Sequence, residues 1–257
     1  MLTHGSLFTG IGGVDLGFER AGIRTVWQVE IDAYCRAILA KHFPHTERYA
    51  DIRDCCGHRS CDDEFCGRAF PLEWVDVLSI CFPCQDISDC GKQAGIDGER
   101  SGLWRDGARI VSELRPRIVL VENVAALLER GMGRVLGDLA ACGYDAEWDC
   151  LPATAFGAYH ERDRVFILAY PADLNGRPHD LLEAGEEWRA SLQSRRLSGM
   201  AVAARAEREN TRLRCEPGLA RLVQRVPCAL DRLEGIGDAV YPAIAEWIGR
   251  RIVEAGA

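Results

Sequence analysis

Cys84 lies in the segment CFPCQDIS, directly after the apolar run VDVLSI. If that run is a strand, the thiol stands just beyond its carboxyl end, where ligands bind in open α/β sheets. A thiolate there can act as a nucleophile, and an inert buried cysteine is the plain alternative. A second run, RIVLVENV, ends in Glu122 and Asn123. It would bring a carboxyl group to the same rim of the sheet, a candidate general acid. Further on, HERDRVFILA places Arg162 and Arg164 on alternate residues. They share one face if a strand starts there, and otherwise only mark a charged strand start.

Near the N-terminus, LFTGIGGVDLGFERAG sets Gly10, Gly12 and Gly13 between a strand and a helix. Missing side chains there let the backbone turn tightly and approach a ligand, although such a turn also occurs with no ligand role. Twenty residues after Gly10 comes Glu30, in VWQVEID, where a nucleotide-binding α/β fold places a carboxylate for ribose hydroxyls. Asp51 in YADIRD is a matching candidate for an adenine amino group. Either acid could equally be a solvated charge at a strand end. The loop lacks the Walker lysine, so a triphosphate is not indicated.

The elements needed to hold these groups are legible as β-prone runs alternating with helical stretches, the pattern of a mainly parallel sheet covered by helices. Strands are expected near 5–8, 25–30, 75–80, 117–122 and 164–170, and helices over 33–42, 105–114, 134–142 and 239–254. Between residue 171 and about 233 the strand runs stop and arginines accumulate, among them Arg189, Arg195, Arg196, Arg205 and Arg208. This stretch reads as a separate small module. The apolar face of IAEWIGRRI then resumes a core-type helix.

The chain has 257 residues, of which 47% are hydrophobic and 27% charged, enough for one sizeable α/β domain and an appendage. The N-terminus lacks the order of a signal peptide and no apolar run is long enough to span a bilayer, so a soluble, cytoplasmic protein with no membrane partner is expected. Twelve cysteines are scattered without an export signal, which favours reduced thiols over a disulfide framework. The net charge of -8 excludes a uniformly basic surface but says little about one cleft. Cys55, Cys56, His58, Cys61 and Cys66 lie close together without the paired spacing of common zinc modules, so a loop insertion and no metal is the expectation.

Taken in order, FTGIGG, VEID, FPCQDIS, ENV, ERDRVFILA and GDAVYP resemble the motif series of the DNA cytosine-5 methyltransferase family across nearly the whole chain. The resemblance implies a Rossmann-like S-adenosylmethionine-dependent fold. Residues 1–170 would form the catalytic and cofactor-binding domain, 171–233 a target-recognition module, and 234–257 a segment returning to the first domain. It implies that Phe8, Gly10, Gly12, Gly13, Glu30, Ile31, Asp51, Ile52, Pro83, Asp238 and Val240 hold S-adenosylmethionine. Cys84 would add to cytosine C6, Glu122 would engage N3, and Arg162 and Arg164 would hold the base oxygen and nearby backbone. Double-stranded DNA is the implied substrate, its target base flipped out of the stack. A monomer is expected, and a restriction endonuclease is a compatible partner.

Several positions depart from that pattern. Ile80 and Cys81 replace two glycines, His160 replaces a glutamine and Asp238 an asparagine. Cys81 and Cys84 also have the C-x-x-C spacing in which two thiols can close a disulfide. A thiol-disulfide oxidoreductase would use that pair but leaves Glu122, the arginines and the glycine loop unexplained. Two further rivals keep the resemblance: the same chemistry on tRNA, and a noncatalytic DNA-binding relative.

Overall fold

The computed structural model describes residues 1–58, 68–83, 101–158, 162–172, 181–182 and 239–256. Cys84, His160, Asp238 and nearly all of the 171–233 module lie outside them.

Nine strands and six α-helices follow one another along the described chain. They are β1 (Thr3–Leu7), α1 (Gly13–Arg20), β2 (Arg24–Val29), α2 (Ala33–His42), β3 (Glu47–Tyr49), β4 (Cys55–Cys56), β5 (Phe70–Pro71), β6 (Val77–Ile80), α3 (Trp104–Leu114), β7 (Ile118–Val124), α4 (Leu127–Arg130), α5 (Met132–Ala141), β8 (Tyr144–Pro152), β9 (Asp163–Pro171) and α6 (Pro242–Glu254). Seven strands form the central sheet in the order β3-β2-β1-β6-β7-β9-β8, and β4 pairs with β5 apart from it. The expected strands and helices are present with ends shifted by a few residues. The helix expected from 239 starts at Pro242 because proline, lacking an N–H, suits a first helical turn. The strand expected from 75 starts at Val77, where Asp76 turns aside to accept from the Thr3 N–H and hydroxyl, each at 2.9 Å.

Alternation along the strands divides the core into two layers. On β7, Val119 and Val121 face one layer with α3 and α5, while Ile118 and Leu120 face the other with α1 and α6. Helix α3 buries Trp104, Gly107, Ile110, Val111 and Leu114, the spacing of one helical stripe. Helix α6 buries Ile244, Ala245, Ile248 and Ile252 against α1. The contact with α1 is close: a Cβ on Gly17 would lie 2.5 Å from the Ala245 Cβ.

This topology decides where the chemistry sits. From β1 the chain winds outward through β2 and β3, then crosses back and winds the other way through β6 and β7, so the switch point lies between β1 and β6. In register, Leu7 pairs with both Val29 and Ile80, and Ile80 with Val121. The residues that follow therefore emerge along one rim. Strand β9 runs antiparallel to β7, with Arg164 opposite Val124, so its beginning reaches the rim where the parallel strands end.

Candidate active site

At that rim lies a cleft of about 600 Å³, within the size range of ligand pockets. Its walls include Phe8 and Gly10 after β1, Glu30 and Ile31 after β2, Asp51 and Ile52 after β3, Cys81 and Pro83 after β6, Glu122 in β7, Arg162 and Arg164 at β9, and Val240 ahead of α6. Every described residue proposed from the sequence for the site therefore lines the cleft, except Gly12. Cys84 and Asp238 lie outside the described residues.

The three glycines of the first loop serve different ends. Gly10 and Gly12 take left-handed backbone at φ 59° and 87°, conformations that cost glycine little. A Cβ on Gly10 would meet nothing within 4 Å, so that edge stays open towards the cleft. Gly12 packs instead on α2, where a Cβ would lie 2.8 Å from the Phe43 ring. Gly13 admits the C-terminal segment, because a Cβ there would come within 2.2 Å of the Val240 carbonyl oxygen. Sequence distance thus disappears at one contact. Phe8 also adopts left-handed backbone, at φ 57°, a strained choice for a residue with a side chain.

Glu30 fastens this loop. Its Oε2 accepts from the Gly10 N–H at 2.7 Å and its Oε1 from the Asp32 N–H at 2.8 Å. Burial pushes its carboxyl pKa up, against the pull of those two backbone donors. A carboxylate has further lone pairs, so ligand hydroxyls can still be accepted. Ile31 leaves 65% of its surface exposed beside it, an apolar face suited to a flat ring. Asp51 is held by the Arg53 guanidinium and N–H, which lower its pKa. The open glycine edge, the carboxylate and the exposed aliphatic face together fit a nucleoside.

On the opposite wall Glu122 is 6% exposed, and Arg164 Nε lies 3.0 Å from its Oε1. The Cys81 thiol hydrogen-bonds the same carboxyl group. Burial first, then the nearby charges of Glu122, Asp15 and Glu30, push the Cys81 pKa well above the ordinary thiol range. Cys81 is therefore a protonated neighbour of Glu122, ill suited to attack anything itself. Its pairing with Cys84 lies outside the described residues.

Asn123 was passed over as a site residue, yet its place is informative. Its Nδ2 donates to the Phe82 carbonyl at 3.0 Å and its Oδ1 accepts from the Val124 N–H at 2.8 Å. That clamp fixes the backbone two residues before Cys84, with the Phe82 ring tilted against Trp104 at 5.3 Å. Of the cluster at 55–66, Cys55 and Cys56 are fully buried in β4, His58 is exposed, and Cys61 and Cys66 lie outside the described residues. Among the described residues no group of His, Cys, Asp and Glu could hold a metal.

Residues 2–212 match the family model of the C-5 cytosine-specific DNA methylases. The chain is similar to the type II methyltransferase M2.BsuMI of Bacillus subtilis, 33% identical over 172 residues that cover 64% of this chain and 41% of that protein. It is similar also to the type II methyltransferase M.DsaV of Dactylococcopsis salina, 28% identical over 79% of this chain and 59% of that protein. The chain thus spans about half the length of these relatives. Among solved structures, a prophage-encoded DNA modification methyltransferase of E. coli aligns with a TM-score of 0.53 at 25% identity, covering 66% of this chain and 47% of that one.

Proposed function

The chain belongs to the C-5 cytosine-specific DNA methylase family, and from that premise we propose that it methylates C5 of cytosine in double-stranded DNA, with S-adenosylmethionine as donor. The observation that carries this reading is the buried Glu122, held by Arg164 at 3.0 Å in the wall of a nucleoside-sized cleft. When bound, the cofactor supplies a methyl group made electrophilic by its sulfonium. Glu30, Ile31, Asp51, Ile52 and the loop through Gly10 would hold its nucleoside, with Val240 closing the pocket and Asp238 and Pro83 beside it.

Cytosine C5 is too weak a nucleophile to accept that methyl group unaided. Addition of the Cys84 thiolate to C6 pushes electrons towards C5 and leaves charge on N3. Glu122 would meet that charge with a proton, and the guanidinium of Arg164 fixes the orientation of its carboxyl group. Arg162 would contact the base oxygen or nearby backbone. Loss of the C5 proton and departure of Cys84 then restore the ring. A stacked base cannot present C6 to a thiol, so the cytosine must leave the helix.

Glu30 gives this reading a direct test. Glu30→Ala is expected to weaken S-adenosylmethionine binding by about 1.5–3 kcal/mol in calorimetry, the loss of a charged hydrogen bond. Unchanged affinity would mean that the nucleoside site is misplaced. The function itself is tested by offering labelled cofactor with DNA and with tRNA in parallel, followed by bisulfite sequencing of the DNA. Transfer to DNA at a fixed sequence context is expected, and transfer to tRNA alone would overturn the DNA assignment.

The arginine-rich 171–233 stretch is the proposed recognition module, since arginine suits phosphate contacts and bidentate guanine readout. No described helix is long and apolar enough to cross a membrane. A cytoplasmic monomer is proposed, in keeping with a DNA substrate, and the type II naming of its relatives makes a cognate endonuclease a reasonable partner to seek.

A further inference from the structure

Beneath the floor of the cleft, buried polar side chains link three strands and a helix. Thr25 Oγ1 on β2 lies 3.0 Å from His4 Nδ1 on β1, and His4 Nε2 lies 2.8 Å from Ser79 Oγ on β6. The Ser79 hydroxyl donates to Ser6 Oγ at 3.3 Å, and Ser6 donates to Asp15 Oδ2 in α1 at 3.3 Å. Asp15 Oδ1 then accepts from Gln28 Nε2 on β2 at 2.9 Å. His4, Asp15, Gln28 and Ser79 are all 0% exposed. Such a row of polar groups is costly inside a sheet unless it is used or fully satisfied. It is not fully satisfied, because Gln28 Oε1 has no partner.

Asp15 is the acid at the end of this row, and its side-chain donors are neutral. Ser6 both bonds Asp15 and lines the cleft, so the carboxyl group sits one hydroxyl below the ligand space. Cys81, also in the cleft wall, is within electrostatic reach of Asp15, Glu30 and Glu122 together. The ionisable groups that act on Asp15 are Glu19 on α1 and Cys81 after β6, its side-chain donors Ser6 and Gln28 are neutral, and His4 lies further along the row, joined to it through Ser79 and Ser6. From α6 comes Glu246, near Arg20 at 3.9 Å. Burial keeps His4 neutral, with its pKa brought down to about 3, so it gives Asp15 no positive partner.

We propose that Asp15 is a positioning residue that sets the charge preference of the cleft, favouring a bound sulfonium over the uncharged thioether that methyl transfer leaves behind. This rests on reading the cleft as an S-adenosylmethionine site. Burial raises the Asp15 pKa to about 6, chiefly by desolvation. A cation above it offsets that desolvation and draws the group into its charged form, whereas a thioether does not. The sign follows by linkage: sulfonium affinity is full above the pKa of Asp15 and falls as pH drops through it. After transfer the attraction disappears, which speeds exchange of product for fresh cofactor.

The test measures binding rather than turnover. S-adenosylmethionine and S-adenosylhomocysteine are titrated calorimetrically between pH 5 and pH 7.5 into the full chain and into Asp15→Asn. In the parent the sulfonium should lose up to about tenfold in affinity at pH 5, where only about a tenth of Asp15 is ionised, and the thioether less than about twofold. Asp15→Asn should bind both ligands with a ratio that no longer varies with pH. Asp15→Ser serves the same purpose if the amide does not fold, and Ser6→Ala, which keeps the charge, should retain the pH dependence. A constant ratio in the parent, or a parent-like ratio in a folded Asp15 variant, overturns the proposal. Absence of binding by either ligand would instead remove the cofactor reading of the cleft, and this proposal with it.

Discussion

Cys84→Ser should reduce methyl transfer to the level of a control without enzyme while leaving the affinity for S-adenosylmethionine close to that of the parent. A serine hydroxyl is far less ionised than a thiol near neutral pH and has no assigned base to activate it, so addition at C6 fails. The cofactor contacts proposed above lie mainly on the loops after β1, β2 and β3. The split is therefore the informative result: chemistry lost, binding kept. Transfer by the serine variant at a rate near the parent's would remove Cys84 from its role. Cys81 offers no substitute, since burial and three nearby carboxyl groups hold its thiol protonated.

The second large effect is expected at Glu122. Glu122→Gln keeps the shape of the side chain and removes its acid, so kcat should fall by about 10²–10⁴-fold, the range for a positioned general acid. The substitution also takes the anion from Arg164 at 3.0 Å, a side chain only 19% exposed. Some loss of stability should accompany the loss of rate, and a thermal melt of the same preparation separates the two. A folded Glu122→Gln enzyme within about threefold of the parent rate would place N3 protonation elsewhere.

Much of this arrangement was legible in the residues, and the exceptions have physical causes. Strands β6, β7 and β9 are largely runs of buried apolar residues, which leave a mark in any sequence, whereas β1 (THGSL) and β2 (RTVWQV) mix polar with apolar residues. Strand β8 was missed because YDAEWDCLP is an edge strand with only Tyr144, Leu151 and Pro152 buried, so neither a run nor an alternation survives. Glu30 and Glu122 could be found because each lies at or near the end of a recognisable strand. Asp15 and Ser6 could not, since what makes them notable is a register that lays α1 over β1 and β6. A hint was present in Asp15 itself, a charge on the helix face otherwise made of Gly13, Val14, Gly17 and Phe18. Arg164 reaches Glu122 only because β9 runs antiparallel, which a mainly parallel pattern does not reveal. The 171–233 module lies almost wholly outside the described residues, and its reading still rests on its arginines.

The central claim is a covalent bond between Cys84 and C6 of a cytosine in DNA, and it is tested most directly by arresting that bond. Fluorine at C5 blocks the proton loss that releases the enzyme. Incubation with S-adenosylmethionine and a duplex pool containing 5-fluorocytosine, followed by denaturation and peptide mass spectrometry, should therefore yield a nucleotide adduct that maps to Cys84 and requires the cofactor for its stability. An adduct on another residue, or methylation of ordinary DNA by the same preparation with no adduct on the fluorinated duplex, would contradict the account.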